Sequence, residues 1–417
     1  EILRCLVGSE MCIRDRLYGM RGVLVRLSRE TTFGAGYTPC QKDAERREGR
    51  QMKNLVVSSS PHITSPSTTR RIMADVIIAL CPALIAMVLL YGFYPLFLTV
   101  LSVGTAMFCE WVFNVVTKRQ QTAGDLSAVV TGIILALNLP PVVPFYVPMV
   151  GAAFAIIIVK MLFGGIGKNF ANPAITARIF LMLAWTGVMT QFVAPIDLSD
   201  GSKLFSFFTQ GVSINLPDAI TTSTPLQTVK DAVAAGTNPA EGLSALDMFL
   251  GRIGGSAGEV SALAVLIGGA YLAVRRVIDV KIPVIYIAST AVFTAIFFAD
   301  SGYVGEYVWT YLLGGGLMFG AFFMATDYAT SPKTPVAVAV YGIGLGLLTV
   351  IIRKFGTMNE GVSFAILLMN IVTPLLEKIK RKPFGTPVKG IKERADALKA
   401  KFSKKGAVAS EGGESVG

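Results

Sequence analysis

IIIVKMLFGGIGKNFANPAITARIFLML, residues 156–183, repeats in outline as LTVIIRKFGTMNEGVSFAILLMNIV, residues 348–372. Each has an apolar run, a basic residue, a Phe-Gly turn, an Asn-containing loop and a second apolar run. If each copy belongs to a set of five membrane spans, the second set enters from the opposite side. That is the inverted-repeat layout of many transport proteins, whose working sites lie where the repeats meet. Two unrelated spans joined by a glycine turn would also share this outline. Composition supports the membrane part of the reading: 53% of the 417 residues are hydrophobic and 16% are charged, against about 25% charged in soluble proteins.

Working outward from the echo, apolar runs of bilayer length give ten candidate spans. They lie near 76–93, 95–116, 126–141, 143–163, 174–194, 258–275, 281–299, 308–326, 334–352 and 361–378. The third is short and ends in Pro140-Pro141. The expected fold is an all-α polytopic membrane protein of two five-helix inverted repeats, 76–194 and 258–378, flanking a loop region at 195–257. A segment at 52–75 precedes the spans and a basic tail, 379–417, follows them. Residues 1–51 break the pattern: they are Arg-rich, and CLVGSEMCIRDRL resembles translated adapter read-through. Met52 is the expected native start and 1–51 a non-native extension.

Short-loop Lys and Arg set orientation. Arg70, Arg71, Lys118, Arg119, Lys168, Arg275, Arg276, Lys281, Lys333 and KIKRK (378–382) fall on one side. YGFYP, NLPPVVP and ADSGYVGEY, which carry no Lys or Arg, fall on the other. Both termini are therefore expected in the cytoplasm of a bacterial inner membrane, with 195–257 outside; Arg353 and Lys354 are the exception. The net charge of +11 belongs to these loops and the tail, not to nucleic-acid binding. Cys5, Cys12, Cys40, Cys81 and Cys109 form no CxxC pair, and His62 stands alone, so zinc or iron–sulfur spacing is absent. Cys81 and Cys109, inside spans, read as buried packing thiols. GGIG lacks the Lys-Ser/Thr of a P-loop, and no GxGxxG follows a strand.

Inside the loop region, DAITTSTPL (218–226) offers Thr224 as an N-cap, Pro225 as the first helical residue and Gln227 as the partner of a capping box. PLQTVKDAVAAG then reads as a short helix ending at Gly236. Capping alone accounts for the threonine. The same geometry suits a phosphoester: proline extends Thr224 and leaves its hydroxyl on an exposed polar segment, and free N–H groups at a helix N-terminus favour phosphate. Among ionisable residues in the apolar runs, Glu110 is the ion-pathway candidate. Lys160 is expected to snorkel to the interface, and Arg178 to anchor the fifth span. Asn169 and Asn172 read as capping residues of a glycine-rich turn.

The pattern Asp-x-x-[Ser/Thr]-x-[Ala/Ser]-Thr, here Asp218, Thr221, Ser223 and Thr224, resembles the flavinylation motif of the NqrB/RnfD family. The family form has glycine at Thr222 and alanine at Ser223. DLSAVVTGIILALNLP (125–140), FGGIGKNFANPA (163–174), GAFFMATDYATSP (320–332), FGTMNEGVSFAILLMN (355–370) and KPFG (382–385) resemble the RnfD side of that family in order and spacing, across nearly all of 52–386. The resemblance implies FMN joined to Thr224 by a phosphoester, placed by a separate flavin transferase. It also implies a second, noncovalent flavin such as riboflavin near Asn169 and Asn172. The chain would then carry electrons between ferredoxin and NAD with coupled Na⁺ or H⁺ movement, beside subunits A, B, C, E and G of an Rnf complex. The chemistry would be the flavin's, with no acid–base set in this chain. An NqrB-like subunit of a Na⁺-translocating NADH:quinone oxidoreductase, and a secondary transporter with inverted repeats, are the readings left beside it.

Overall fold

Gly92 alone turns the chain between α1 (Thr69–Tyr91) and α2 (Phe93–Val116), with a φ of 87° that side chains rarely adopt. The computed structural model describes residues 68–193, 195, 224–235, 244–258, 261–356 and 360–378. The expected extension at 1–51, the motif residues Asp218, Thr221 and Ser223, and the tail from 379 lie outside the described residues. After α2 come α3 (Ser127–Leu137), α4 (Tyr146–Met161), α5 (Pro173–Ala184) and the short α6 (Thr186–Met189). Then follow α7 (Pro225–Ala235), α8 (Ala245–Leu250), α9 (Ala262–Val274) and α10 (Lys281–Phe297). The chain closes with α11 (Val304–Leu313), α12 (Leu317–Met324), α13 (Pro335–Phe355) and α14 (Val362–Glu377). All regular elements among the described residues are helical.

Among the described residues, α1, α2 and α13 are each long and apolar enough to cross a membrane, and α11 with α12 makes a fourth, bent by 57° at its break. The eighth candidate span is thus two helices rather than one, because Gly315 and Gly316 take positive φ angles between them. The fifth candidate also stops early: α5 ends at Ala184. The remaining apolar helices run from 10 to 17 residues. Large apolar side chains face outward along the bundle, among them Val100, Phe108, Ile296, Ile343 and Leu375. A surface so apolar needs a hydrocarbon solvent, and the chain is a membrane-embedded helical protein. Cys81, expected inside, belongs to this outer surface, where its Sγ donates to the Ile77 carbonyl at 3.3 Å; Cys109 is half-buried.

Packing partners recur in the two halves. α2 packs on α3 and α4, and α4 on α5; likewise α10 packs on α11 and α13, and α13 on α14. Across the halves, α1 meets α9 and α5 meets α14. α3 is the innermost helix, with nine of its eleven residues buried. Its Gly132 lets the α2 backbone approach, and the Gly132 carbonyl accepts from Ser102 Oγ at 3.0 Å.

The α10–α13 seam is closer still. A Cβ at Gly346 would collide with the Ser289 side chain, whose Oγ donates to the Gly342 carbonyl at 3.0 Å. Gly346→Val should therefore part the two helices at a cost of about 1–3 kcal/mol. Gly104 on α2 has open space around it, so Gly104→Ala should be neutral. Melting of both variants in detergent distinguishes them: equal midpoints would contradict the packed seam.

Candidate functional site

Thr224 stands at the start of α7, where its Oγ1 accepts from the Gln227 backbone N–H at 3.3 Å and its carbonyl accepts from Thr228 N at 3.0 Å. The N-cap expected from Thr-Pro is formed, while the Gln227 side chain donates onward to Asp231 Oδ1 at 2.9 Å. One expectation fails: Thr224 is only 8% exposed. The cause is docking of α7, whose Leu226 and Val229 bury against Phe298, Tyr307 and Tyr311. Gly315 makes this possible, since a Cβ there would strike Leu226. Thr224 consequently opens onto a narrow cleft of about 30 Å³ walled by Met248, Gly254, Gly255, Ser256, Gly314 and Glu360.

The floor of that cleft is a buried polar network. The Arg178 guanidinium pairs with Glu360 Oε2 through Nη2 and reaches Ser256 Oγ at 3.3 Å. Its Nη1 donates to Asn138 Oδ1 at 2.8 Å and Ser363 Oγ at 3.2 Å, and Ser256 Oγ donates to Glu360 Oε1 at 3.4 Å. Arg178 therefore joins the two halves instead of anchoring α5 at a membrane surface. Glu360, Ser256, Ser363 and Asn138 were not singled out from the sequence. The one hint was the position of Glu360 in the Asn-containing loop of the second echo.

At the opposite end of the bundle lies a much larger cavity, about 1150 Å³. The starts of α1, α3 and α5 line it, with the turn 166–169, the end of α9 and the residues around Phe322–Tyr328. Asn172 caps α5, accepting from Ala174 N at 3.0 Å, and its Nδ2 reaches the Met324 carbonyl at 3.4 Å. The capping role is thus present for Asn172. Asn169 differs: its Oδ1 is buried at the cavity wall with no hydrogen-bond partner, a cost of about 1–3 kcal/mol unless a ligand or water donates to it. At the rim, Arg275 Nη2 contacts both Asp75 carboxylate oxygens at 3.1 Å, which favours its charged form, and Tyr271 donates to the same carboxylate at 3.2 Å. Burial pushes the Asp327 carboxyl up from its ordinary range, opposed by hydrogen bonds from Ala329, Thr330 and Tyr328.

Lys160 does not snorkel. A π-helical turn, Ala155–Met161, ends α4 and directs Lys160 inward, where it is 2% exposed and pairs with the fully buried Glu110 at 2.7 Å. Lys160 also donates to Ser127 Oγ at 2.7 Å, and Thr122 Oγ1 donates to Glu110 Oε1 at 2.6 Å. Glu110 is thus walled off from the surface, while the neighbouring Trp111 faces outward. The exceptional cations at the Thr224 end are also accounted for. Arg353 donates to the carbonyls of Tyr311, Gly314 and Gly315 at 2.5, 3.1 and 2.9 Å, closing the C-terminal end of α11. Lys354 donates to the Phe297 carbonyl at 2.6 Å and sits 4.6 Å from the Phe298 ring centroid. Lys230 holds the Gly356 carbonyl at 2.9 Å, and burial lowers its pKa from the usual lysine value.

A family model described as NQR2, RnfD, RnfE family matches residues 56–385. The chain is 44% identical to the D subunit of the Na(+)-translocating ferredoxin:NAD(+) oxidoreductase complex of Acetobacterium woodii, covering 82% of this chain and 99% of the relative. It is 36% identical to the D subunit of the proton-translocating ferredoxin:NAD(+) oxidoreductase complex of Clostridium ljungdahlii, covering 81% and 99%. It is 34% identical to the D subunit of the ion-translocating oxidoreductase complex of Vibrio cholerae, covering 77% and 96%.

The Glu110–Lys160 pair allows a thermodynamic test, because breaking a buried pair from one side strands a charge. Glu110→Ala and Lys160→Ala should each destabilise the folded chain by about 3–5 kcal/mol. The double variant should be less destabilised than the sum of the two. Detergent melts of the four proteins check this, and strict additivity would mean that the two charges do not interact.

Proposed function

This chain belongs to the NQR2, RnfD, RnfE family, and from that premise we propose that it is the D subunit of an Rnf-type complex. In this reading it carries electrons between ferredoxin and NAD through FMN held on Thr224, with Na⁺ or H⁺ translocation coupled elsewhere in the assembly. The observation that carries the reading is the setting of Thr224: an N-cap hydroxyl at the start of α7, seated in a cleft walled by residues 248–256, the break after α11 and Glu360. A phosphoester on that oxygen would face the N-terminal amides of α7, where backbone N–H groups and the helix dipole favour a phosphate. The cleft volume of about 30 Å³ suits the phosphoester alone, so the ring system would lie along its open side. Asp218, Thr221 and Ser223 complete the recognition motif for the transferase.

A second, noncovalent flavin is proposed for the large cavity. Its volume of about 1150 Å³ exceeds what a tricyclic ring needs. The lone buried Oδ1 of Asn169 is an acceptor suited to a ring N–H. Asn172 supports the same wall from the α5 cap. Glu110 remains the ion-pathway candidate, its charge held by Lys160.

The topology that goes with this reading has ten spans in two inverted five-span repeats. The recurrence of α2–α4 and α10–α13 packing, with α1 against α9 and α5 against α14, supports it. Lys118, Lys168, Arg275 and Lys333 would mark the cytoplasmic side of a bacterial plasma membrane, with both termini there and 195–257 outside. Partners would be subunits A, B, C, E and G, and a flavin transferase during maturation.

Denaturing gels test the covalent cofactor. Co-expressed with a flavin transferase, the wild-type band should fluoresce and Thr224→Asn should be dark, although asparagine caps a helix as well as threonine does. A fluorescent Thr224→Asn would move the attachment elsewhere, and a dark wild type would end the flavoprotein reading. For the cavity, Asn169→Leu should release most of the flavin that denaturation frees, without dimming the covalent band. Undiminished extractable flavin in that variant would remove Asn169 from the second site.

A further inference from the structure

Besides joining the two halves, the Arg178–Glu360 network lies between the two candidate cofactor sites. Glu360 and Ser256 line the cleft of Thr224. On the other side, Ala174 and Ile134 line the large cavity. Arg178 stands four residues beyond Ala174 on α5, and Asn138 four beyond Ile134 at the C-cap of α3, about 6 Å along each helix axis. One helical turn therefore separates the cavity floor from the residues that hold Glu360. Arg178 is 4% and Glu360 8% exposed, so charge changes nearby are screened little by water.

Resting on the Thr224 reading, we propose that Arg178 and Glu360 are positioning residues that set the redox potential of the cofactor carried by that threonine. Reduction of a flavin by two electrons with uptake of one proton adds one negative charge to the ring system. The Glu360 carboxylate, at the cleft wall, disfavours that charge. The Arg178 guanidinium, behind it, favours it. Each offsets the other, and Asn138, Ser256 and Ser363 keep the guanidinium from swinging away. A purely structural pair would leave the potential alone or disturb it without regard to sign.

The sign supplies the test. The full chain, flavinylated by co-expression and purified in detergent, is titrated with dithionite while flavin absorbance is followed. Glu360→Gln leaves an amide oxygen for Arg178 to contact and removes the negative charge, so the midpoint of the covalent flavin should rise. Arg178→Gln leaves Glu360 uncompensated, and the midpoint should fall; Arg178→Lys, which keeps the charge, should lie near wild type. In-gel fluorescence confirms that each variant still carries its cofactor. If Arg178→Gln fails to accumulate, the rise in Glu360→Gln decides alone. Shifts of the same sign, or none in fluorescent protein, would overturn the proposal. A dark wild type would instead overturn the Thr224 reading on which it stands.

Discussion

A charge or an open helix end inside hydrocarbon must find its partner within the protein, because no water is there to supply one. Most of the architecture follows from how this chain meets that demand. The break between α11 and α12 exposes carbonyls that a continuous helix would satisfy, and Arg353 closes them from α13. The cation is neutralised by dipoles and the helix end by a cation, so neither needs a membrane surface. Glu110 and Lys160 solve the same problem as a pair, and Arg178 and Glu360 solve it across the boundary of the two halves.

These solutions also divide the interior. A cavity opens at one end of the bundle and a cleft at the other, and the polar residues around Arg178 fill the interval between them. Hydrogen bonds at 2.8–3.4 Å leave no room there for a hydrated ion. Electron transfer needs no such room. That division is what the electron-carrying reading proposed above calls for.

The apolar runs were legible because a bilayer imposes a length and a hydrophobicity that composition alone reveals, and most candidate spans have a helix within them. The break at Gly314–Gly316 was hidden, since small glycines inside an apolar stretch do not interrupt a hydropathy reading. Lys160 was misplaced for a geometric reason: a π turn rotates it inward, and no sequence period signals that rotation. The N-cap at Thr224 was local and readable. Its burial was not, because the surface that α7 docks on comes from residues roughly 70 to 90 positions later. Arg178 shows the same limit, with its carboxylate partner 182 residues away.

The innermost helix bears on how such a chain enters a membrane. α3 has eleven residues, roughly 16 Å of helix, against a hydrocarbon core of about 30 Å. Lipid cannot satisfy both of its ends, and the protein surrounds it on nearly every side. During biogenesis a segment of this kind has no stable position of its own. Its apolar surface is covered by α2 and α4, the helices before and after it, so it holds its place only in company with them.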